Sequence, residues 1–380
     1  MAVGLKPLPQ LHSVAGVRIG VCSAGIKVAG RRDLVLFELA EGSATAGVFT
    51  KNAFCAAPVQ IAKKHLASAP ARYLVINTGN ANAGTGEDGY RRAVDICEAV
   101  AAQAGCTPAE VLPFSTGVIG ETLASEKIIA SLPAAQSALS DNAWADAATG
   151  IMTTDTLPKG SSRQFELGGE LVTITGLSKG AGMIKPNMAT MLAYVATDAN
   201  IDASLLDDLL VSCVEKSFNR ITVDGDTSTN DSCILVATGK SAGTKINAAT
   251  DADYMVFAQQ LEDVFVELAQ AIIRDGEGAT KFVTVEITEG LSSEECLKAA
   301  YAIAESPLVK TALFASDPNW GRILAALGRA GLDALDVDRV GLSVNGVELA
   351  INGGLSPNYR EADGVKAMEQ EEIHIVVSLG

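Results

Sequence analysis

The sequence predicts a layered α/β protein of the α+β kind, and three observations carry that expectation. Strand-like and helix-like segments alternate along the whole chain without a tandem repeat. Hairpin signatures recur among them, which favours mixed sheets over a purely parallel one. The chain has 380 residues, 48% of them hydrophobic, too many for one simple core and enough for two domains or one large α/β unit. Aromatic residues make up only 5% while Gly and Ala abound, so the interior should be packed tightly from small side chains.

The elements follow in order. Residues 73–77 (YLVIN) form a short apolar strand that ends in the polar loop TGNANAGTGEDG. Residues 90–104 have helical periodicity and stop at Gly105. Residues 111–114 read as a strand running into the turn STGVIGE, and residues 163–175 as a hairpin around Gly168-Gly169. From Thr190 the run TMLAYVAT is apolar and partly β-branched, as a buried strand is. The approach to it holds Gly180, Gly182 and Pro186 and cannot continue a helix or a strand. Residues 203–218 and 252–274 are amphipathic and helical, and residues 281–288 (KFVTVEIT) are a strand. VGLSVNGVELAI is a hairpin turning at Asn345-Gly346, and EEIHIVVSLG is the last strand.

A formal charge of −16 argues against nucleic acid and against anionic membrane surfaces, both of which need basic patches. No apolar run approaches the length of a membrane span, and the N-terminal stretch has no apolar signal core, so a cytoplasmic protein is expected. The seven cysteines are an odd number without CxxC spacing, as in reduced, mostly buried thiols. His12, His65 and His374 lie far apart, which makes a His-based metal site or a Ser-His-Asp triad improbable; no metal and no organic cofactor are expected.

Four Gly-rich polar segments stand out: NTGNANAGTG, STGVIGE, residues 179–190 and DGDTSTND. None has the phosphate-binding spacing GxxxxGK[ST], or GxGxxG between strand and helix. Acyl transfer explains more of them, since it needs a nucleophile, a base and donors to an oxyanion. With histidine scarce, a Thr whose own amine is freed by chain cleavage supplies nucleophile and base together, the amine having a pKa of about 8. Ala189-Thr190 offers the small preceding residue, the pliable approach and the strand start that this requires. Thr116-Gly117, on a tight turn, is the candidate oxyanion site, although a plain turn is the commoner meaning of that motif alone.

Together FTKN (49–52), NTGNANAGTG (77–86), STGVIGE (115–121), KGAGMIKPNMATML (179–192), DGDTSTND (224–231), GEGATK (276–281) and SDPNWGR (316–322) resemble the ornithine acetyltransferases of arginine biosynthesis. These are also known as bifunctional glutamate N-acetyltransferases, and the match spans nearly the whole chain in consistent order. The resemblance implies self-cleavage between Ala189 and Thr190, giving an α segment (1–189) and a β segment (190–380). It implies an α/β sandwich related to the self-processing aminopeptidases. Both segments would build the larger domain, and a smaller one would come mainly from about 240–380.

The resemblance also implies roles. Thr190 matches the nucleophile that becomes acetylated, and Thr116 and Gly117 match the oxyanion pair. Lys179 matches a lysine lining the substrate pocket, Glu277 an acid near the nucleophile, and Thr153 a substrate contact. Lys179 would supply the cation that a substrate α-carboxylate needs in so acidic a protein, and Glu277 could meet an ammonium. DGDTSTND and SDPNWGR read as structural turns, with Trp320 packing. The implied reaction is ping-pong transfer of acetyl from N2-acetylornithine to glutamate through acetyl-Thr190. Acetyl-CoA as a second donor is left open, and two α and two β segments would assemble. Members of the family continue past the last strand with a tail that helps close the pocket; this chain stops at Gly380, so the expectation is either a truncated sequence or a protein without those contacts. The rival readings are an aminopeptidase or amidase on the same scaffold and a non-catalytic binding protein.

Overall fold

The computed structural model describes residues 2–185, 191–243 and 245–380. They form two compact units: residues 6–277, and residues 278–380 with the N-terminal stretch ending at Leu5. The smaller unit thus starts at Gly278 rather than near 240. The intervening helix turns a stripe of Phe257, Leu261, Val264, Leu268 and Ile272 into the core of the larger unit.

Among the described residues, the larger unit holds nine strands. These are β1 (Val17–Cys22), β2 (Leu34–Leu39), β3 (Ala44–Phe49), β4 (Tyr73–Asn80), β5 (Val111–Val118), β6 (Lys159–Leu167), β7 (Glu170–Lys179), β8 (Leu192–Thr197) and β9 (Ser232–Ala237). Its helices are α1 (Ala57–Leu66), α2 (Gly86–Ala104), α3 (Ser125–Ser137), α4 (Trp144–Gly150), α5 (Ala203–Lys216) and α6 (Ala252–Arg274). The strands make two sheets, ordered β1-β2-β4-β5 and β3-β9-β8-β7-β6. β4 and β5 are parallel, as are β8 and β9, while the other pairs are antiparallel.

The two sheets pack face to face. Along β8, Leu192, Tyr194 and Ala196 point into the layer between the sheets, whereas Ala193 and Val195 point to the layer beneath α5 and α6. β2 does the same: Val35, Phe37 and Leu39 face the other sheet, and Leu34 and Leu36 face α2 and α3. A strand buried on both sides reads as a continuous apolar run, which is why these segments lack alternation. The result is helix, sheet, sheet, helix: the layered sandwich expected from the sequence. Tyr194 sits at the centre, its ring 5.5 Å from that of Phe37 and 5.3 Å from that of Phe114.

The smaller unit has its own core. β10 (Phe282–Thr288), β11 (Gly341–Val344), β12 (Val347–Ile351), β13 (Gly354–Leu355) and β14 (Glu372–Ser378) form a sheet ordered β10-β14-β11-β12-β13. Helices α7 (Ser293–Ala304), α8 (Pro307–Phe314), α9 (Trp320–Gly328) and α10 (Glu361–Met368) complete the unit. β14 alternates, with Ile373, Ile375 and Val377 inward and His374 outward, so one face is covered and one is wet. Asn345 and Gly346, both at positive φ, make the expected hairpin turn. Trp320 packs against this core, and Asn319 caps α9 by accepting from the Arg322 N–H, so SDPNWGR is structural there.

Several boundaries differ from expectation. α2 starts at Gly86, the last residue of NTGNANAGTG, and β5 runs through STGV instead of turning at Ser115. Of the seven cysteines, Cys97, Cys213 and Cys233 are buried and the other four are partly so; all are free thiols. Among the described residues, no helix is long and apolar enough to cross a membrane.

The intersheet layer generates a test. Tyr194 is fully buried, and among the described residues its hydroxyl has no hydrogen-bond partner. Tyr194→Phe should keep or raise stability by up to about 1 kcal/mol, because an unsatisfied buried hydroxyl is removed. Tyr194→Ala should cost about 3–5 kcal/mol through the cavity it leaves. Urea denaturation of the two variants measures both.

Candidate active site

Polar side chains collect where the strands of the two sheets end. β4 and β5 run in parallel and finish together, Thr78 opposite Thr116 and Gly79 opposite Gly117. Gly117 has φ +137, and a Cβ there would lie 2.3 Å from the Gly79 carbonyl carbon and 2.5 Å from the Asn80 nitrogen. Only glycine lets the two strand ends approach so closely. Asparagines hold the turn beside them. Asn77 accepts from the Ser115 hydroxyl at 2.6 Å, and the Asn80 amide donates to the carbonyls of Glu121 and Thr122 at 3.1 Å each.

Lys179 is the last residue of β7, in the other sheet. Its Nζ crosses to donate to Thr116 Oγ1 at 2.9 Å, so two sequence-predicted residues 63 positions apart meet directly. With its lone pair engaged, the Thr116 hydroxyl keeps its own hydrogen for another acceptor. Burial lowers the pKa of Lys179. The carboxylates of Asp155, Asp231 and Glu277 oppose that lowering, and the Lys159 charge adds to it.

Thr153 and Glu277 belong to the segments that flank this lysine. Thr153 donates its N–H to Asp155 Oδ2 at 2.9 Å, and Asp155 Oδ1 accepts from the N–H of Gly180, next to Lys179, at 2.7 Å. The Glu277 N–H donates to the Ala181 carbonyl at 2.8 Å, and its exposed carboxylate lies against Gly182. Ala189 and Thr190 lie outside the described residues. The chain on either side of them is tied to DGDTSTND. Asp224 accepts from the N–H groups of Met183 (2.6 Å) and Ile184 (2.9 Å), Thr227 donates to the Lys185 carbonyl, and the N–H of Ser232, just after the segment, donates to the Met191 carbonyl. Asn230 of the same segment donates to the carbonyls of Ala81 and Ser115, and FTKN joins it through Thr50 and Asn52. The segment read as structural therefore braces the strand end at Thr116-Gly117 and residues 183–185 at once.

Sequence reasoning missed Asp155, Lys159 and Asp275. Lys159 is fully buried and bridges Asp155 at 2.6 Å and Asp275 at 2.7 Å. Burial works against ionisation of Asp155, but the Lys179 and Lys159 charges outweigh it and hold its carboxyl at about 2. Among the described residues, no group of His, Cys, Asp and Glu side chains is placed to hold a metal ion. The arrangement offers a hydroxyl donor and a backbone N–H at a strand end, a cation behind them and a carboxylate nearby. That is the equipment to stabilise an oxyanion and to hold a substrate bearing both charges.

The profile of the ArgJ family matches residues 18–380. This chain belongs to the ArgJ family. The arginine biosynthesis bifunctional protein ArgJ of Pseudomonas fluorescens is 57% identical over 380 residues, covering 100% of this chain and 94% of its own. That of Psychrobacter arcticus is 54% identical, covering 100% and 93%. Among solved structures, an ornithine acetyltransferase from Mycobacterium tuberculosis complexed with ornithine is 33% identical over 47% of this chain and 96% of that one, with a TM-score of 0.42. Membership in the ArgJ family agrees with the resemblance seen in the motifs, of which STGVIGE and the Lys179 segment meet in space.

Two outcomes are expected. Gly117→Ala should force the ends of β4 and β5 apart, lowering the melting temperature and breaking the Lys179–Thr116 contact; calorimetry and activity assays check this. The Asp155 carboxyl titrates at about 2 when folded against an ordinary 3.8. Its contribution to stability is therefore complete above the ordinary value and is lost as pH falls through about 2. Asp155→Asn should be less stable at neutral pH, and its urea midpoint should fall less steeply on acidification than that of the parent.

Proposed function

We propose that this protein transfers the acetyl group of N2-acetylornithine to L-glutamate, releasing ornithine and N-acetylglutamate, in arginine biosynthesis. The observation that carries this reading is the 57% identity with an arginine biosynthesis bifunctional protein along the whole chain. The hydrogen bond from Lys179 to Thr116 supports it, because it joins a carboxylate-binding cation to an oxyanion donor.

The steps follow from the chemistry of the residues. Attack of the Thr190 hydroxyl on the Ala189 carbonyl, followed by hydrolysis of the ester, cuts the chain into segments 1–189 and 190–380 and frees the Thr190 amine. That amine, with a pKa of about 8, takes the hydroxyl proton as Thr190 Oγ attacks the acetyl carbonyl of acetylornithine. The Thr116 hydroxyl and the Gly117 N–H stabilise the tetrahedral oxyanion. The C–N bond breaks, ornithine leaves with the proton, and acetyl-Thr190 remains. The glutamate amine then attacks the ester, the C–O bond breaks, and Thr190 recovers its hydrogen. Lys179 holds the α-carboxylate of either substrate, Glu277 meets an ammonium and Thr153 contributes a further contact. Acetyl-CoA as an alternative acetyl donor, a complex of two α and two β segments, and a cytoplasmic location complete the proposal.

Mass spectrometry on protein incubated with acetylornithine alone should find one acetyl group on Thr190, and glutamate should discharge it as N-acetylglutamate. Release of free acetate in place of N-acetylglutamate would replace the transferase reading with a hydrolase. Thr190→Ala should remain a single full-length polypeptide. Thr116→Ala should lower kcat by about 10²–10³ with little change in KM, the usual cost of losing one oxyanion donor.

A further inference from the structure

The larger unit buries a lysine that the reaction steps do not use. Lys159 opens β6 with a side chain of 0% exposure, and its ammonium donates to Asp155 Oδ1, Asp275 Oδ2 and, at 3.3 Å, the Leu157 carbonyl. Its three hydrogens thus match three acceptors. A buried ammonium is costly unless its charge is met and all its hydrogens are bonded, and here both conditions hold.

What the two carboxylates hold in turn matters more. Asp155 accepts from the N–H groups of Thr153 and Gly180. Asp275, just past the end of α6, accepts at Oδ2 from the N–H of Thr156 at 2.9 Å and at Oδ1 from the Thr156 hydroxyl. The bridge therefore joins three separate pieces of chain: residues 153–157, the exit of β7 and the exit of α6. Each piece carries one candidate substrate contact within two residues of a bridged group. Thr153 is itself bonded to Asp155, Lys179 precedes Gly180, and Glu277 follows Asp275 by two.

We infer that Lys159 is a positioning residue of the acyl-transfer site: through Asp155 and Asp275 it fixes Thr153, Lys179 and Glu277 relative to one another. The inference rests on the proposed function, since it takes these three as the groups that hold substrate. Lys159 touches no substrate in this scheme; it sets the spacing between the cation for the α-carboxylate and the anion for the ammonium. A neutral side chain of similar length would fill the same volume and leave the three pieces tied pairwise only through the remaining bonds of Asp155 to Thr153 and Gly180 and of Asp275 to Thr156.

Charge balance and positioning are separated by a pair of variants. Lys159→Met removes the bridge and strands two buried carboxylates, so it should lower the melting temperature strongly. Adding Asp275→Asn to it restores the charge count with a side chain of the same shape. The double variant should regain most of the lost stability and self-cleave, yet keep a KM for acetylornithine raised by about tenfold or more, as small misplacements of substrate-holding groups do. Its kcat per cleaved molecule should fall less than its KM rises. A double variant with the parent's KM, whatever its stability, would show that Lys159 only balances charge and would overturn the inference. Asp275→Asn alone, which leaves Lys159 paired with Asp155, should raise KM in the same sense, and an unchanged KM there would equally count against it. Absence of acetyl transfer by the parent protein would strike the proposed function instead, so the two failures are distinguishable.

Discussion

The larger unit is governed by one constraint: two sheets pressed face to face, each also covered by helices on its outer side. Tyr194, Phe37 and Phe114 fill the middle layer, and the central strands β2, β4, β8 and β9 are buried nearly throughout. Along these central strands, polar side chains gather mainly where the strands stop. β4, β5 and β7 end, and β8 and β9 begin, in the neighbourhood spanned by the Lys179–Thr116 hydrogen bond. The site is thus an edge of the sandwich, walled by both sheets, and its geometry follows from where five strands are cut off.

That edge is costly to build from backbone alone, because strand ends leave N–H and C=O groups without ladder partners. Asparagine and aspartate side chains supply the missing partners. Asn230 bonds the carbonyls of Ala81 and Ser115, Asn80 those of Glu121 and Thr122, and Asp224 the N–H groups of Met183 and Ile184. The polar segments that look like ligand loops in the sequence are largely scaffolding for two or three functional atoms. The acidic balance of the chain, −16 in all, is partly offset at that edge, where Lys179 and Lys159 face Asp155, Asp231, Asp275 and Glu277.

Much of the fold was legible because period and punctuation agree: YLVIN, LAYVAT and the hairpins at Gly168-Gly169 and Asn345-Gly346 all fall where expected. The first three strands were not. LVLFEL, buried on both faces, has no alternation, and it is easily passed over beside the charged turn that precedes it. α3 hid behind Pro133, which reads as a breaker but sits within the helix. At the site, Thr116 and Lys179 were visible through the family's motifs, whereas Asp155, Lys159 and Asp275 were not. A buried ion pair leaves little local signature: Lys159 stands between Pro158 and Gly160, where nothing marks it as buried, and Asp275 lies 116 residues away.

The order of strands in the second sheet, β3-β9-β8-β7-β6, interleaves the two halves of the chain. β3, β6 and β7 precede position 189, while β8 and β9 follow position 190 and are sandwiched between them. A cut at that point therefore yields two polypeptides whose mutual interface is the hydrophobic core itself. Neither half owns the whole of this sheet, so separated halves would have to meet in solution before it could form, and a first-order process would become second-order. Scission at that point would have to come after folding, and the age of a molecule would be written into it: once unfolded, a cut molecule would no longer be the chain that the ribosome released.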